Sequence, residues 1–541
     1  MDRKAHDVVV IGGGHNGLVA ACYLAKKGLD VAVVERAPQI GGMTASDTLI
    51  PEAPGHMVNT CSADLLFWLS SPVARDLDLQ AHGLETIPVD PSYVYLHPDG
   101  SSIAVWKDPA RTADEIRRFS PRDAAAYLDY ARFLDKLFDV ALPFMLSNPS
   151  RPGVGGLGRL AAAALRHLHD LPGFGSFLLS SGEEIIEQRF KHPITQALLY
   201  CLGAGANPID AGGSAFTHLF LAFLHRGGTA RPVGGMQAIP RALARRLTSL
   251  GGIIHTSSPV AEILLSNGRA TGVRLEDGQE LGASKAVVAA CDPRTALGQL
   301  LPPQSLPPAL ETRVRHIPSS SAGAGAMKVD LALSGRVSLD RHERWRDDGL
   351  DLRRPAALIG TPDGIRRSYA RAGAGIVPDA ADIALWPVVL NAVDGTQAPA
   401  GQDSLYVFAT TMPLDPEGGW QKNESLAADR VLTQLGSFYQ GVDEMEIGRW
   451  IETPELAAQR TGATNGTAMH VDHLLLSQGP FRPARGLGRI EMPVDGLYLG
   501  SAGAHPGGGV TGMPGRLAAA AVTSASRHRP LSRLREVRKR P

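Results

Sequence analysis

The stretch that most constrains this chain is its start, Asp7 to Glu35, which reads DVVVIGGGHNGLVAACYLAKKGLDVAVVE. Val8 to Ile11 is a short apolar β-branched run, the pattern of a parallel strand buried on both faces. It leads straight into Gly12-Gly13-Gly14-His15-Asn16-Gly17, which holds the spacing Gly-x-Gly-x-x-Gly. Leu18, Ala21, Cys22, Leu24 and Ala25 then fall on one side of a helix that Gly28 closes. Val31 to Val34 reads as a second strand, with Glu35 at its end. The spacing has a mechanical reason. Gly12 allows the tight turn, Gly14 lets backbone approach a pyrophosphate, and Gly17 lets helix and strand pack closely. The helix N-terminus favours phosphate charge, and a carboxylate about 20 residues on can accept hydrogen bonds from ribose hydroxyls.

Glycine spacing alone is weak evidence, as a second copy shows. Gly153-Val-Gly155-Gly-Leu-Gly158 matches the same pattern but follows Asn148-Pro-Ser-Arg-Pro152 instead of a strand, and reads as a loop. The N-terminal copy has strand, helix, second strand and acidic residue in place, which is the context dinucleotide binding requires.

Composition narrows the classes. With 541 residues there is room for two or three domains. Lys+Arg and Asp+Glu both count 54, so no global field argues for a nucleic-acid partner. Four scattered cysteines, Cys22, Cys61, Cys201 and Cys291, form no Cys-x-x-Cys, which argues against a disulphide framework, a zinc site or a dithiol redox pair. His167 and His169 lie two apart and diverge on a helix, so no metal site is expected. No uncharged apolar run reaches membrane-spanning length, and Met1-Asp-Arg-Lys runs directly into the first strand; a cytoplasmic protein is the default expectation.

Beyond Glu35, the glycine pair Gly41-Gly42 beside Met43 suits FAD, because it lets the chain pass beside the diphosphate. His56-Met-Val-Asn-Thr-Cys61-Ser62 could pass near a flavin ring. Residues 110–225 are rich in Ala, Leu and Phe at helical spacing and read as a helical insertion. At Gly234-Gly235-Met236 the pattern resets: an amphipathic helix to Leu250, a strand at Ile253 to Thr256, then a β-meander with turns at Asn267-Gly268 and Asp277-Gly278, ending at Cys291-Asp292-Pro293. Met327 to Leu333 and Leu405 to Thr411 suggest strands of a second sheet. The last block, Gly496 to Gly515, goes from strand through a glycine-dense turn to a helix at Arg516 to Ser524. Backbone amides there would stabilise the negative charge of reduced flavin. The tail from Arg527 to Pro541 holds six arginines and one lysine, a solvated end or one drawn to anionic lipid.

Three blocks together resemble the phytoene dehydrogenase-like flavoproteins: GGGHNGL with Glu35 and Gly41-Gly42, PVGGMQAIPRAL leading to the meander, and LYLGSAGAHPGGGVTGMPG. The chain looks closer to the branch named for pyridine nucleotide-disulphide oxidoreductase domain-containing protein 2 than to the carotenoid desaturases proper. The resemblance implies an α/β fold: a glutathione-reductase-type FAD-binding Rossmann domain with an inserted helical and mixed α/β substrate domain. Its expected boundaries are residues 1–110, 226–300 and 481–526 for the discontinuous FAD domain, 111–225 and 301–480 for the substrate domain, and 527–541 for the basic tail. FAD contacts carry over to Gly12, Gly14, Gly17, Glu35, Gly41 and Gly42, with His15, Asn16, Arg36, Met43 and Val260 beside them. The final block adds Gly503, Gly508, Gly509, Val510 and Gly512.

The implied activity is oxidation or isomerisation of a carbon skeleton, often isoprenoid, with hydride passing to flavin N5. A flavin amine oxidase and a non-catalytic flavin-binding scaffold are the alternatives. No second strand–glycine–helix unit is apparent, so electrons are expected to leave to oxygen or a quinone instead of a tightly bound NAD(P). His505, inside the final block, and His470, in a turn-rich segment, are the candidate bases. A greasy stretch, Tyr127 to Ser147, points to an apolar substrate entering through the helical insertion. Peripheral membrane contact and a homo-oligomer stay open as partners.

Overall fold

In the computed structural model the described residues are 4–151, 153–205 and 207–537. Two seven-stranded sheets organise them. The first is built around β1 (Lys4–Ile11), which pairs in parallel with β2 (Val31–Val34) on one side and Glu280–Ala289 on the other. Ile253–His255 extends the sheet beyond β2, Leu497–Leu499 joins Glu280–Ala289 in parallel, and the meander Val260–Ser266 and Arg269–Leu275 closes the far edge antiparallel. Val8, Val9 and Val10 are fully buried, as an all-parallel run covered on both faces demands. α1 (His15–Ala25), Ala238–Ser249 and the start of Met513–Val537 supply the cover.

Close helix packing here depends on glycine. A Cβ on Gly17 would stand 2.0 Å from the Gly12 carbonyl oxygen, and one on Gly515 would stand 2.0 Å from that of Asn16. No side chain fits at either place, so α1 and the C-terminal helix start against their neighbours' backbones.

The second sheet runs Glu446–Glu452, Ala324–Leu333, Asp403–Pro413, Leu385–Val389, Ala356–Ile359, Tyr93–Leu96, Ser102–Val105. This corrects one expected boundary. The two strands between residues 93 and 105 lie inside the range 1–110, yet they are hydrogen-bonded into the second sheet through Ala356–Ile359. The meander-like alternation of YVYL and SIAV fits either sheet, and only the partner strand decides.

The helices between Pro109 and Gly227 pack on one face of this second sheet and share a core with it through Tyr95, Val105, Leu358 and Val388. The other face is closed by Trp420–Gly436. The second glycine triad is no loop: Gly153 caps the helix Val154–Arg166, and Gly155 and Gly158 lie in its first turns. The Leu and Ala spacing that follows extends the helix back over them. Of the basic tail, residues up to Val537 continue the backbone of the C-terminal helix, and residues 538–541 lie outside the described ones. Among the described residues no helix is long and apolar enough to cross a membrane, and no cluster of potential metal ligands occurs.

Candidate active site

The turn between β1 and α1 is assembled as the spacing requires. Gly12 has φ +103°, and its amide donates to the Val34 carbonyl at 2.8 Å. The Glu35 carboxylate lies against the turn, accepting from the Gly13 amide at 2.6 Å and the Ala37 amide at 2.9 Å. Gly41 (φ +132°) and Gly42 (φ +55°) bring a second strand of backbone alongside, with the Gly41 amide donating to the Gly13 carbonyl and Gly14 bridging Gly41. Gln237, from the PVGGMQAIPRAL block, donates to the Ile40 carbonyl at 2.9 Å and so fixes that loop. At the head of α1, His15 Nε2 and Asn16 Oδ1 are buried without a partner. Burial holds the His15 imidazole down to about 4, hence neutral. Glycine backbone on both sides, orphaned polar atoms and a carboxylate at the second strand's end together fit an FAD diphosphate and ribose.

Arg36 and Val260, also expected at the cofactor, flank Glu35. The Arg36 guanidinium donates to the Gln459 carbonyl, tying this loop to the helix Pro454–Thr461. Val260 opens its strand two residues after Ser258, whose amide donates to the Glu35 carbonyl.

Beside the turn opens a cavity of about 550 Å³ between the two halves. His15 and Met43 line it from the first half, joined by Gly508, Gly509 and Val510 of the last glycine block. Val510 holds φ +56°, a left-handed conformation that a β-branched residue adopts only under constraint. Gly503 and Gly512 stand behind this wall, packed on Pro293 and on Val19 and Val73. Thr60, Cys61 and Ser62 line the cavity too, so the HMVNTCS stretch does reach it. Burial pushes the Cys61 thiol up, so it is protonated.

The opposite walls are aromatic: Phe67, Phe216, Phe220, Phe223, Trp386 and Phe408. Of the greasy stretch from Tyr127 to Ser147, Met145 alone is in the lining, while Tyr127, Leu134, Leu137 and Phe138 are core of the helical layer.

The charged groups in the wall escaped sequence reasoning, Lys328 among them. Lys328 and Asp330, two apart on a strand and hence on one face, are both buried and bonded Nζ to Oδ1 at 2.7 Å. The ammonium sits 2.8 Å from the centroid of the Tyr406 ring. Burial pulls Lys328 down to about 8 and pushes Asp330 up to about 6, each opposed by the charge of the other. Single residues at alternate strand positions carry no motif, so only the fold reveals the pair.

The two histidines singled out from sequence are not in the cavity lining. His505 stacks edge-on against Phe144 at 4.9 Å, and its Nε2 lies 3.0 Å from the Phe144 carbonyl oxygen. His470 sits at φ +60° between Met469 and Val471, which do line the cavity, while its own ring is close to His15, Asp292 and Arg482. Burial depresses both, His505 to about 4. His473 lines the cavity instead and is held neutral at about 3 by burial and by Arg482.

A profile of the family described as flavin containing amine oxidoreductase matches residues 17–373. The chain belongs to that family. It is an FAD-dependent oxidoreductase with a glutathione-reductase-type FAD-binding fold, and among its relatives are the phytoene dehydrogenase-like flavoproteins. It is 29% identical to pyridine nucleotide-disulfide oxidoreductase domain-containing protein 2 of Mus musculus, over 96% of this chain and 94% of that one. It is 27% identical to the neurosporene-forming phytoene desaturase of Rhodobacter capsulatus, over 94% and 91%. Among solved structures it resembles a variant of putrescine oxidase with TM-score 0.61 at 18% identity, over 97% of this chain and 100% of that one. Cys22, Cys61, Cys201 and Cys291 are all free.

Proposed function

We propose that this enzyme is a dehydrogenase or desaturase acting on a largely apolar, isoprenoid-like or lipid-like molecule. The observation that carries the reading is the state of the charges in the cavity wall. Three are paired with an opposite charge, Lys328 with Asp330, Glu452 with Arg460 and Asp64 with Arg231, while Asp472 accepts from the Ser321 amide and feels the Arg482 guanidinium nearby. An ammonium substrate would have to compete with these bonds for a carboxylate to offset its desolvation. Aromatic surface, by contrast, gains about 25 cal/mol for each Å² of apolar area it buries. The desaturase among the relatives supports the same reading.

FAD, when bound, would supply the two-electron acceptor for the substrate's hydride. The protein's share is to bind, orient and manage protons. The glycine turns and Glu35 hold the cofactor, and the aromatic walls exclude water. Lys328 is the wall group whose range lies near neutrality, and Nζ in its neutral form can take up the proton released when, after one hydrogen has left as hydride, the neighbouring C–H bond breaks and the C–C bond becomes double. His15 and His473, held far below neutrality, are poor bases and serve as uncharged wall. Electrons then pass to oxygen or a quinone. The basic tail supports contact with anionic lipid, from which such a substrate could be drawn.

The test compares turnover of isoprenoid and acyl compounds with that of small charged amines, with and without anionic vesicles. Activity on the apolar set is expected. Activity confined to amines would overturn the reading and make this an amine oxidase.

A further inference from the structure

The cavity wall contributed by the helical layer holds a polar group without a partner. Asn207, four residues past the helix Pro193–Gly203, lines the cavity and is only 6% exposed. Its Nδ2 has no hydrogen-bond partner in the protein. The aromatic residues packed on the same turn already use their polar atoms. Trp386 Nε1 donates to the Cys201 carbonyl at 3.2 Å, and the Tyr369 hydroxyl donates to the Ala204 carbonyl at 2.8 Å. Trp386 leaves the turn no slack, since a Cβ on Gly205 would lie 2.6 Å from its ring. An amide thus sits in an aromatic corner with no partner for its Nδ2. Burying it so is unfavourable unless something in the cavity supplies the missing bond.

We propose that Asn207 recognises an oxygen atom carried by the substrate. The substrate is then an apolar molecule bearing a hydroxyl or carbonyl oxygen, and a bare hydrocarbon is the poorer ligand. This rests on the apolar-substrate reading above and adds the polar handle that orients the chain in the cavity. An unpaired amide discriminates well, because a ligand lacking the oxygen leaves it buried and unbonded.

The experiment titrates the FAD-bound protein with farnesol and with farnesene, acyclic isoprenoids that differ chiefly in the alcohol, following perturbation of the flavin's visible spectrum. Wild type is expected to prefer farnesol by roughly tenfold, the worth of one well-placed hydrogen bond. Asn207→Leu should abolish the preference, weakening farnesol binding and, with no amide left to desolvate, not weakening that of farnesene. Asn207→Ala serves the same purpose where the leucine variant fails to retain flavin. Equal binding of both compounds by wild type, or a preference that survives in the variants, overturns the assignment and leaves the apolar reading standing. Binding of neither compound, with spectral response to small amines only, overturns both.

Discussion

Two segments of this chain carry glycines at the spacing Gly-x-Gly-x-x-Gly, one in each half of the molecule, and their surroundings differ completely. At Gly12 to Gly17 the missing side chains are filled by neighbouring backbone and by Glu35: a Cβ on Gly13 would meet Glu35 at 3.1 Å, and one on Gly17 the Gly12 carbonyl at 2.0 Å. At Gly153, Gly155 and Gly158 a Cβ would meet nothing within 4 Å. The first set is needed because chain and cofactor crowd the turn. The second merely dilutes the start of an exposed helix. What makes such a spacing informative is therefore the strand before it and the acid after it, which only the first copy has.

The largest expected effect sharpens this contrast. Gly17→Ala forces α1 away from β1 and should cost about 3 kcal/mol or more. Calorimetry should show marked destabilisation, and the protein should purify without flavin. Retention of full FAD occupancy would mean the turn is not as tight as described.

Next in size is a change in the other half. Lys328→Met should lower the rate of flavin reduction roughly a hundredfold, the usual worth of a positioned proton acceptor. Because the neutral amine is the base, wild-type reduction should rise with pH through about 8, with Asp330, Cys61, Glu452 and Tyr406 as the groups facing it. The variant should lose that limb. A pH profile unchanged in the variant would remove Lys328 from the chemistry.

Glu35→Ala should weaken FAD retention by roughly tenfold, the loss of hydrogen bonds to a charged acceptor, while the fold persists. Equilibrium dialysis measures it, and undiminished affinity would break the ribose assignment. The smallest effect has the opposite sign. Gly158→Ala should stabilise the helix Val154–Arg166 by about 0.5–1 kcal/mol, because alanine loses less backbone entropy and meets no obstacle there. A destabilising result would show that the second triad also has a packing partner.

The nucleotide half was legible because its signals are local and mutually reinforcing. β-branched runs, glycines at fixed offsets and Asn-Gly and Asp-Gly turns lie within a few residues of the elements they specify, so β1, α1, β2 and the meander emerge where the sequence places them. The substrate half was legible only as elements. Whether Tyr93–Leu96 joins the first sheet or the second depends on pairing with Ala356–Ile359, some 260 residues away, for which the sequence carries no signal. The same holds for the site. Gly12 to Gly42 could be named from spacing, whereas Lys328, Asp330, Tyr406 and Asn207 come together only through tertiary contacts. His505 misled because it sits in the glycine block that faces the cavity, yet its ring turns the other way, onto Phe144.

The most direct test of the central claim is an anaerobic titration of the FAD-bound enzyme with an apolar isoprenoid, following flavin absorbance and the mass of the product together. One equivalent of substrate is expected to bleach one equivalent of flavin and to yield a product two hydrogens lighter. A flavin that stays oxidised with every apolar compound while a small amine bleaches it would contradict the account.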